Sequence, residues 1–249
     1  MALSLLILGG TTEASRLAAL LAERANIAPV LSLAGRTREP APAPIPLRVG
    51  GFGGVDGLAA YLATERIDAV IDATHPFAAR ISAHAAIACP RQGVPLARLT
   101  RPAWRPEPGD RWQEVPGMAA AVAALGPAPR RVFLTIGRQE LAAFNAAPQH
   151  HYLVRSIDAP DGFNAPQATF LAARGPFALA DEEALMRAHA IDVLVTKNAG
   201  GSATAAKLIA ARSLGLPVVM VARPAKPNVP TFHEPEEALA WTKSHRPAP

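Results

Sequence analysis

Short apolar runs alternate with longer helical patterns along the chain, which favours an α/β fold with parallel sheets. The first run, Leu3–Leu8 (LSLLIL), is almost continuously apolar, as in a strand that is buried on both faces. Further strands are predicted at residues 29–34, 46–49, 68–73, 94–99, 112–115, 131–136, 152–156, 169–172, 192–196 and 217–222, the last of which ends the series. Helices are predicted at residues 15–22, 58–62, 78–89, 118–125, 181–190, 203–214 and 236–243.

The first strand is followed by the turn Gly9-Gly10-Thr11-Thr12-Glu13-Ala14 and then by a helix. This order is typical of the opening of a nucleotide-binding unit, because bare backbone can approach a phosphate and the first helical amides point at it. The pattern G-x-G-x-x-G is absent, since only Gly9 and Gly10 are present and position 14 is Ala. On this stretch alone, an ordinary turn with Thr11 or Thr12 as the helix N-cap explains the sequence equally well.

The second predicted strand ends in a basic loop. The stretch SLAGR starts at Ser32 and brings Gly35 and Arg36 to the tip of the strand, with Arg38 close behind and no acid before Glu39. In a dinucleotide-binding fold an acid at this place selects NAD, whereas an Arg accepts the 2′-phosphate of NADP. We therefore expect phosphate recognition here, with a solvated basic loop as the alternative.

Polar residues also follow the predicted strand at 68–73. Asp72 lies near the tip of that strand, and the loop Thr74-His75-Pro76-Phe77 comes after it. The pattern predicts Pro76 in the first turn of the next helix, where its missing amide is not needed. His75 then lies at the C-terminal edge of the sheet, where open α/β folds bind ligands. A helix-capping or solvent-facing His is the competing interpretation.

The two halves of the chain repeat one pattern. Residues 69–102 and 193–224 each contain a strand, a polar loop, an Ala-rich helix and a strand that closes on Arg-Pro. The earlier openings LLILGGTTEA and VFLTIGRQEL correspond as well. We predict two doubly wound domains, residues 1–105 and 106–249, connected through the Pro-rich stretch 101–110, with the ligand in the cleft between them.

Two loops of the second half carry a cation beside glycines. Gly137-Arg138 and the stretch KNAGGS from Lys197 both offer backbone amides at a predicted helix start, an arrangement that suits carboxylates. Lys197 could also donate a proton to a substrate, or it could serve only as an anion anchor. Both roles for Lys197 remain open on the sequence.

Composition narrows the classes of function. The 25 Lys+Arg residues against 20 Asp+Glu give a net charge of +5 that is scattered along the chain, which suits an anionic small molecule better than nucleic acid. The one cysteine excludes an internal disulfide, and no basic signal region precedes the first apolar run, so we expect a cytoplasmic location. No apolar run reaches the roughly 18 residues of a membrane span. The seven His residues show no ligand spacing, so no metal site is expected.

With these motifs assembled, the chain resembles the precorrin-6A reductase family of cobalamin biosynthesis and its cobalt-precorrin-6A counterpart. The residues that carry the resemblance are spread over nearly the whole chain: LILGGTTEA (6–14), SLAGR (32–36), DATHPFA (72–78), TIGRQEL (135–141) and TKNAGG (196–201). The resemblance implies two Rossmann-like domains and an NADPH-dependent reductase that delivers hydride to C19 of precorrin-6A, giving precorrin-6B. At position 199 the resemblance implies Ser as often as Ala, and this chain has Ala. The motifs leave open whether the substrate is metal-free or cobalt-loaded.

The resemblance also implies roles for individual residues. Pyrophosphate binding falls to Gly9, Gly10, Thr11, Thr12, Glu13 and Ala14, and the 2′-phosphate to Arg36 with Ser32 and Gly35 alongside. Thr74, His75, Pro76 and Phe77 would lie by the nicotinamide or the substrate. Thr135, Gly137, Arg138, Lys197, Asn198, Gly200 and Gly201 would meet a polyanionic tetrapyrrole-derived macrocycle.

The proton donor is expected to be Lys197, with His75 and Asp72 behind it and a bound water as a further alternative. We expect a monomer or a weak homo-oligomer. Two rival classes of protein share the architecture: a two-lobed small-molecule binding protein, and a transferase that uses a nucleotide or S-adenosylmethionine.

Overall fold

The computed structural model describes residues 2–35, 42–158 and 162–245. The chain divides into two compact units, the first made of residues 1–102 and 224–249 and the second of residues 103–223. The strands are β1 (Leu3–Leu8), β2 (Ile27–Leu33), β3 (Leu47–Val49), β4 (Ala69–Asp72), β5 (Leu96–Leu99), β6 (Arg111–Val115), β7 (Arg131–Thr135), β8 (His151–Ser156), β9 (Ala168–Ala172), β10 (Val193–Lys197), β11 (Pro217–Val221) and β12 (Thr231–Phe232). The α-helices are α1 (Thr12–Ala22), α2 (Gly54–Thr64), α3 (Ala79–Arg91), α4 (Met118–Ala124), α5 (Leu179–Ala188), α6 (Ala206–Ser213) and α7 (Pro235–Thr242), and shorter 3-10 helices span Arg138–Ala146 and Lys243–His245.

The first unit is a six-stranded sheet in the order β12-β5-β4-β1-β2-β3, with all neighbours parallel. Side chains of β1 alternate between two cores: Leu3, Leu5 and Ile7 pack with α1 and α7, and Leu6 and Leu8 pack with α2 and α3. The prediction that this strand is buried on both faces is therefore confirmed.

The second unit repeats this topology with the order β6-β11-β10-β7-β8-β9, again with all neighbours parallel. Strand by strand, β7, β8 and β9 take the places of β1, β2 and β3, while β10 and β11 take those of β4 and β5. The prediction of two doubly wound parallel-sheet units is confirmed, and so is the correspondence between the halves. One strand in each sheet falls outside this correspondence and lies at the edge: β12 beside β5 in the first sheet, and β6 beside β11 in the second.

The C-terminal segment differs from the prediction, which ended the series of strands at 217–222 and ran the second domain to residue 249. Residues after Arg223 belong to the first unit, because β12 pairs with β5 and Ala238 and Leu239 of α7 are buried in the core around β1. Each Arg-Pro pair of the internal repeat thus lies at a unit boundary. The strand that the sequence analysis missed, β12, has only two residues and follows the Pro-rich stretch 223–230, so it leaves no alternating pattern of its own.

Two helices, α3 and α6, start later than predicted. Pro76 lies in a turn closed by a hydrogen bond from the Ala78 amide to the His75 carbonyl (2.8 Å), so α3 starts only at Ala79. In the second unit, α6 starts at Ala206 and not at 203. Gly200 and Gly201 have positive φ angles of 71° and 78°, which take the chain out of helical geometry.

No helix among the described residues is long and apolar enough to cross a membrane.

Candidate active-site loops

The glycine turn lies at the point where the order of the first sheet reverses. From β1 the chain moves to β2 and β3 on one side and then returns to β4 on the other side, so the loops after β1 and β4 diverge there. Ligands of open α/β sheets bind at such a switch point, at the carboxyl ends of the strands. The Thr11 hydroxyl joins the two loops by donating a hydrogen bond to the Ala73 carbonyl (2.8 Å).

The turn itself is shaped by its two glycines. The Gly9 amide donates to the Ser32 carbonyl (2.8 Å), and a Cβ at Gly9 would lie 2.5 Å from Cδ1 of Leu31. Gly10 has a φ of +114°, and a Cβ there would meet no atom within 4 Å beyond its chain neighbours, so the backbone of the turn is bare on that side. Thr11, not Thr12, is the N-cap of α1, since its side chain accepts a hydrogen bond from the Ala14 amide (3.1 Å).

The acid of this turn is neutralised by an arginine. Glu13 pairs with Arg101 at 2.9 Å, and the two side chains are only 14% and 17% exposed. An unpaired carboxylate in the first turn of α1 would repel a phosphate, so this pair keeps the helix N-terminus suited to an anion.

At the tip of β2 the structure adds an arginine that the sequence analysis missed. Arg48 donates to the Ser32 hydroxyl (3.2 Å) and to the carbonyls of Gly50 (2.6 Å) and Gly51 (2.8 Å), and its guanidinium lies 3.8 Å from the centre of the Phe52 ring. The signal was available in the sequence, where Arg48 stands two residues before Gly50, the first of four glycines in five residues. The predicted 2′-phosphate residue Arg36 lies outside the described residues, and so does Arg38.

The loop after β4 is held by Asp72. This buried carboxylate accepts hydrogen bonds from the Thr74 amide (3.1 Å) and the Thr74 hydroxyl (2.6 Å), and its other oxygen lies 3.8 Å from both Arg98 Nε and Lys226 Nζ. Asp72 therefore faces two cations and shapes the backbone of the loop. Together with burial, its negative charge raises the pKa of the nearby Cys89 thiol to about 12.

His75 is oriented by its own loop. Its Nδ1 accepts a hydrogen bond from the Phe77 amide (3.2 Å), so in the neutral imidazole Nε2 carries the proton. The ring centre of Phe77 lies 5.8 Å away. His75 is thus presented as a donor through Nε2, at the same sheet edge as the glycine turn.

In the second unit, Thr135 and Lys197 end the two strands at the equivalent switch point. The Thr135 hydroxyl donates to the Val195 carbonyl (3.3 Å), which ties β7 to β10. Gly137 has a φ of +82° and begins the 3-10 helix. Arg138 lies 3.9 Å from a carboxylate oxygen of Asp158.

Lys197 forms an ion pair with Glu140, a residue of the quoted TIGRQEL stretch to which the sequence analysis gave no role. The Lys197 side chain is 15% exposed, whereas that of Glu140 is 35% exposed. The pair therefore places an ammonium at the C-terminal edge of the second sheet, with a carboxylate beside it. This ammonium can attract an anion and can also hold a proton.

The loop after Lys197 is held by two side chains that the sequence analysis left unassigned. The Asn198 amide accepts from the Trp104 main-chain N–H (2.8 Å) and donates to the Trp104 carbonyl (3.0 Å). Arg223 donates to the carbonyls of Asn198 (2.8 Å) and Ala199 (3.0 Å), and the Trp104 indole donates to Gly201 (2.9 Å). Asn198 therefore shapes the loop through both atoms of its amide.

The predicted site residues fall into two sets. Gly9 to Ala14, Ser32, Gly35 and residues 72–77 belong to the first unit, and Thr135, Gly137, Arg138 and residues 197–201 belong to the second. Each set gathers at the C-terminal edge of its own sheet. No group of three or more His, Cys, Asp or Glu within the described ranges is placed to hold a metal ion.

Comparison with known proteins gives matches over nearly the full length. The family described as Precorrin-6x reductase CbiJ/CobK matches residues 4–243. A precorrin-6A reductase of Rhodobacter capsulatus is 53% identical over 246 residues, which is 98% of both chains, and one of a Sinorhizobium species is 54% identical over 94% of this chain and 90% of that protein. A solved structure of CobK precorrin-6A reductase matches with a TM-score of 0.93 at 52% identity, covering 99% of this chain and 98% of that one.

Proposed function

Since the chain belongs to the precorrin-6x reductase family, we propose that it catalyses the NADPH-dependent reduction of precorrin-6A to precorrin-6B in cobalamin biosynthesis. The observation that carries the proposal is the 53% identity to a precorrin-6A reductase over 98% of both chains. The reaction adds a hydride to C19 of the macrocycle and a proton to the adjacent carbon, and it leaves NADP⁺.

The first unit has the features that a dinucleotide needs. The bare backbone at Gly10 and the capped N-terminus of α1 suit a pyrophosphate, because the first-turn amides have no acceptor within the helix. In this strand order the adenosine half lies over β2 and the nicotinamide half over β4. We therefore assign the turn 9–14 to the pyrophosphate and Thr74, His75, Pro76 and Phe77 to the nicotinamide end.

NADPH supplies the hydride when it is bound, and the choice of NADPH over NADH is assigned to the tip of β2. Arg36 is the proposed partner of the 2′-phosphate, with Ser32 and Gly35 beside it. Arg48, which donates to the Ser32 hydroxyl, keeps Ser32 oriented and adds positive charge to the same tip.

The second unit is assigned to the substrate, whose acetate and propionate arms make it a polyanion. Arg138 and Lys197 supply cations, and the loop with Thr135, Gly137, Gly200 and Gly201 supplies backbone close to them. Asn198 contributes by shaping that loop through Trp104.

Lys197 is the proposed proton donor. Its ammonium is held by Glu140, and a carboxylate at this place can help to restore the proton after it has been given away. His75 could donate through Nε2 from the first unit. Asp72 accepts two hydrogen bonds from Thr74 and faces two cations, so we assign it a positioning role.

The proposal is tested by titrating the purified protein with NADPH and NADH in parallel and by repeating both titrations on Arg36→Ala. The substitution is expected to weaken NADPH binding about 10- to 100-fold, the equivalent of a charge-assisted contact of about 1.5–3 kcal/mol, and to leave NADH binding unchanged. Equal losses for both cofactors would remove Arg36 from the 2′-phosphate site. A wild-type protein that binds neither cofactor and leaves precorrin-6A unreduced would contradict the proposed function.

A further inference from the structure

Lys226 lies in the segment that leads from β11 to β12, and the function proposed above gives it no role. The segment is tied to β5 along its length. Arg98 donates from its guanidinium to the Pro227 carbonyl (2.7 Å) and from its amide to the Pro230 carbonyl (2.8 Å). The Thr100 amide donates to Phe232 of β12 (2.9 Å). Lys226 is therefore delivered to a fixed place at the C-terminal edge of the first sheet.

The ammonium of Lys226 lies against the loop after β4. It donates to the Thr74 hydroxyl (3.1 Å) and to the His75 carbonyl (3.2 Å), and it lies 3.8 Å from Oδ2 of Asp72. The Thr74 hydroxyl has one proton, which it gives to Oδ1 of Asp72 (2.6 Å), so its lone pairs accept from the ammonium. The result is a directed chain from Lys226 through Thr74 to Asp72.

The charged groups at the two ends of this hydrogen-bond series, Lys226 and Asp72, are both buried. The side chain of Lys226 is 9% exposed and that of Asp72 is 2% exposed, so their attraction is little screened by water. Arg98 Nε is buried without a hydrogen-bond partner among the described residues, 3.8 Å from Asp72. One buried carboxylate therefore faces two cations, and the loop of Thr74 and His75 is fixed where all three meet.

We propose that Lys226 is a positioning residue of the cofactor site, which holds Thr74 and His75 in the geometry that receives the nicotinamide end of the dinucleotide. The inference rests on the proposed function. Lys226 acts through the loop: its ammonium and the Ala78 amide (2.8 Å) both donate to the His75 carbonyl. The Phe77 amide of the same turn then orients the His75 ring by donating to Nδ1 (3.2 Å).

Lys226 is expected to affect the binding of one half of the cofactor and not of the other. The adenosine half is assigned to β2 and the glycine turn, whereas the contacts of Lys226 described above are to Asp72 and the loop after β4. The nicotinamide half is assigned to the loop that Lys226 holds. Loss of the ammonium is therefore expected to weaken the binding of the whole dinucleotide and to spare a fragment that carries only the adenosine and its phosphates.

The test measures the binding of NADPH and of adenosine 2′,5′-bisphosphate to the wild-type protein and to Lys226→Met. Methionine keeps the unbranched apolar chain and removes the charge and its donors. We expect the dissociation constant of NADPH to rise about tenfold or more, in line with the loss of hydrogen bonds from a charged group, and that of the bisphosphate to stay within about twofold. Lys243→Met, the same substitution at an exposed lysine of the same unit, is the matched control and should change neither constant.

Two outcomes would overturn the proposal. Unchanged NADPH binding in Lys226→Met would show that the loop does not need the ammonium, and an equal loss of both ligands would show a general structural role. Lys226→Arg, which restores a positive donor, should recover at least part of the NADPH affinity, and a failure to recover any would also count against the proposal. A wild-type protein that binds the bisphosphate but not NADPH would contradict the proposed function itself, whereas NADPH binding that is insensitive to Lys226→Met contradicts this inference alone.

Discussion

Lys197 has two proposed roles, because the same ammonium attracts the carboxylates of the substrate and donates a proton to it. Arginine keeps the positive charge but does not give up its proton at neutral pH. Lys197→Arg is therefore expected to lower kcat by about 10²–10⁴, the usual contribution of a positioned acid, with little change in KM for the macrocycle. Steady-state kinetics at saturating NADPH measure both constants.

Glu140→Gln is the matched control for this residue, since it removes the partner of Lys197 and leaves the lysine in place. We expect it to lower kcat less than Lys197→Arg does. If Lys197→Arg instead keeps a kcat near that of the wild type, Lys197 is an anion anchor and the proton comes from His75 or from water.

A buried histidine ties stability to pH. His150 is fully buried, and its Nδ1 accepts from the Arg130 amide (3.2 Å). Burial, followed by the charge of Arg130, lowers the pKa of His150. The unfolded chain then binds more protons than the folded one as the pH falls below about 6.5, so acid destabilises the fold.

His150→Asn keeps an acceptor and removes this titration. Between pH 7 and pH 5 the unfolding free energy of the variant should fall less steeply than that of the wild type, as measured by denaturant titration at each pH. Parallel pH dependences would contradict the direction of the pKa shift at His150.

At the scale of elements, the turn between β1 and α1 leaves no room for a side chain at Gly9. A Cβ at Gly9 would lie 2.5 Å from Leu31 Cδ1 and 3.2 Å from Leu33 Cδ2, and Leu31 is buried. Gly9→Ala should therefore cost about 1–3 kcal/mol of unfolding free energy, as overpacking does, and it should weaken NADPH binding. Denaturant titration and cofactor titration measure the two effects.

Gly117→Ala is the control for this substitution. Gly117 is extended and a Cβ there meets nothing within 4 Å beyond its chain neighbours, so the change should leave both quantities within experimental scatter. A stable Gly9→Ala variant with wild-type affinity would show that Leu31 gives way and that the close approach is unimportant.

A strand that is buried on both faces is an element that the sequence predicts well, because it forms a nearly continuous apolar run. The strand at Leu3–Leu8 was predicted at its observed bounds, because both of its faces are covered by helices. Helix starts after glycine-rich loops are predicted less well. Helix α6 starts three residues later than predicted, because residues 202–205 form a turn closed by a hydrogen bond from the Ala205 amide to the Ser202 carbonyl (3.1 Å), which no hydropathy pattern reveals.

The site residues show a similar division. Motif resemblance selected His75 and Lys197 because they stand next to strand ends. It missed Arg48, although the glycines that follow this residue are a local signal. It also missed Trp104 and Lys226, whose hydrogen-bond partners lie far away in the sequence. Partners of that kind follow from tertiary pairing and leave no local spacing in the sequence.

At the scale of the whole molecule, the C-terminal segment belongs to the first unit although it follows the second in the chain. A chain that ends at Arg223 would lose β12 and α7, including Leu239, whose burial is worth about 1.5–3 kcal/mol by itself. We expect such a truncation to unfold the first unit and abolish NADPH binding while the second unit keeps its fold.

Amide hydrogen exchange measures the unfolding of each unit separately, because in the truncated chain protection in β7 and β10 should remain while protection in β1 and β4 is lost. A chain that ends at His245 is the control and should behave as the full chain does. Retained NADPH binding in the truncated chain would contradict the role given to β12 and α7.

The proposed reaction transfers a hydride from NADPH to the macrocycle, and isotope labelling follows that hydride into the product. Precorrin-6A is converted anaerobically by the purified protein with NADPH that carries deuterium at both C4 positions of the nicotinamide, and the product is examined by mass spectrometry. We expect precorrin-6B with one deuterium bound to carbon. Reduction without deuterium in the product, or no reduction at all, would contradict the proposed reaction.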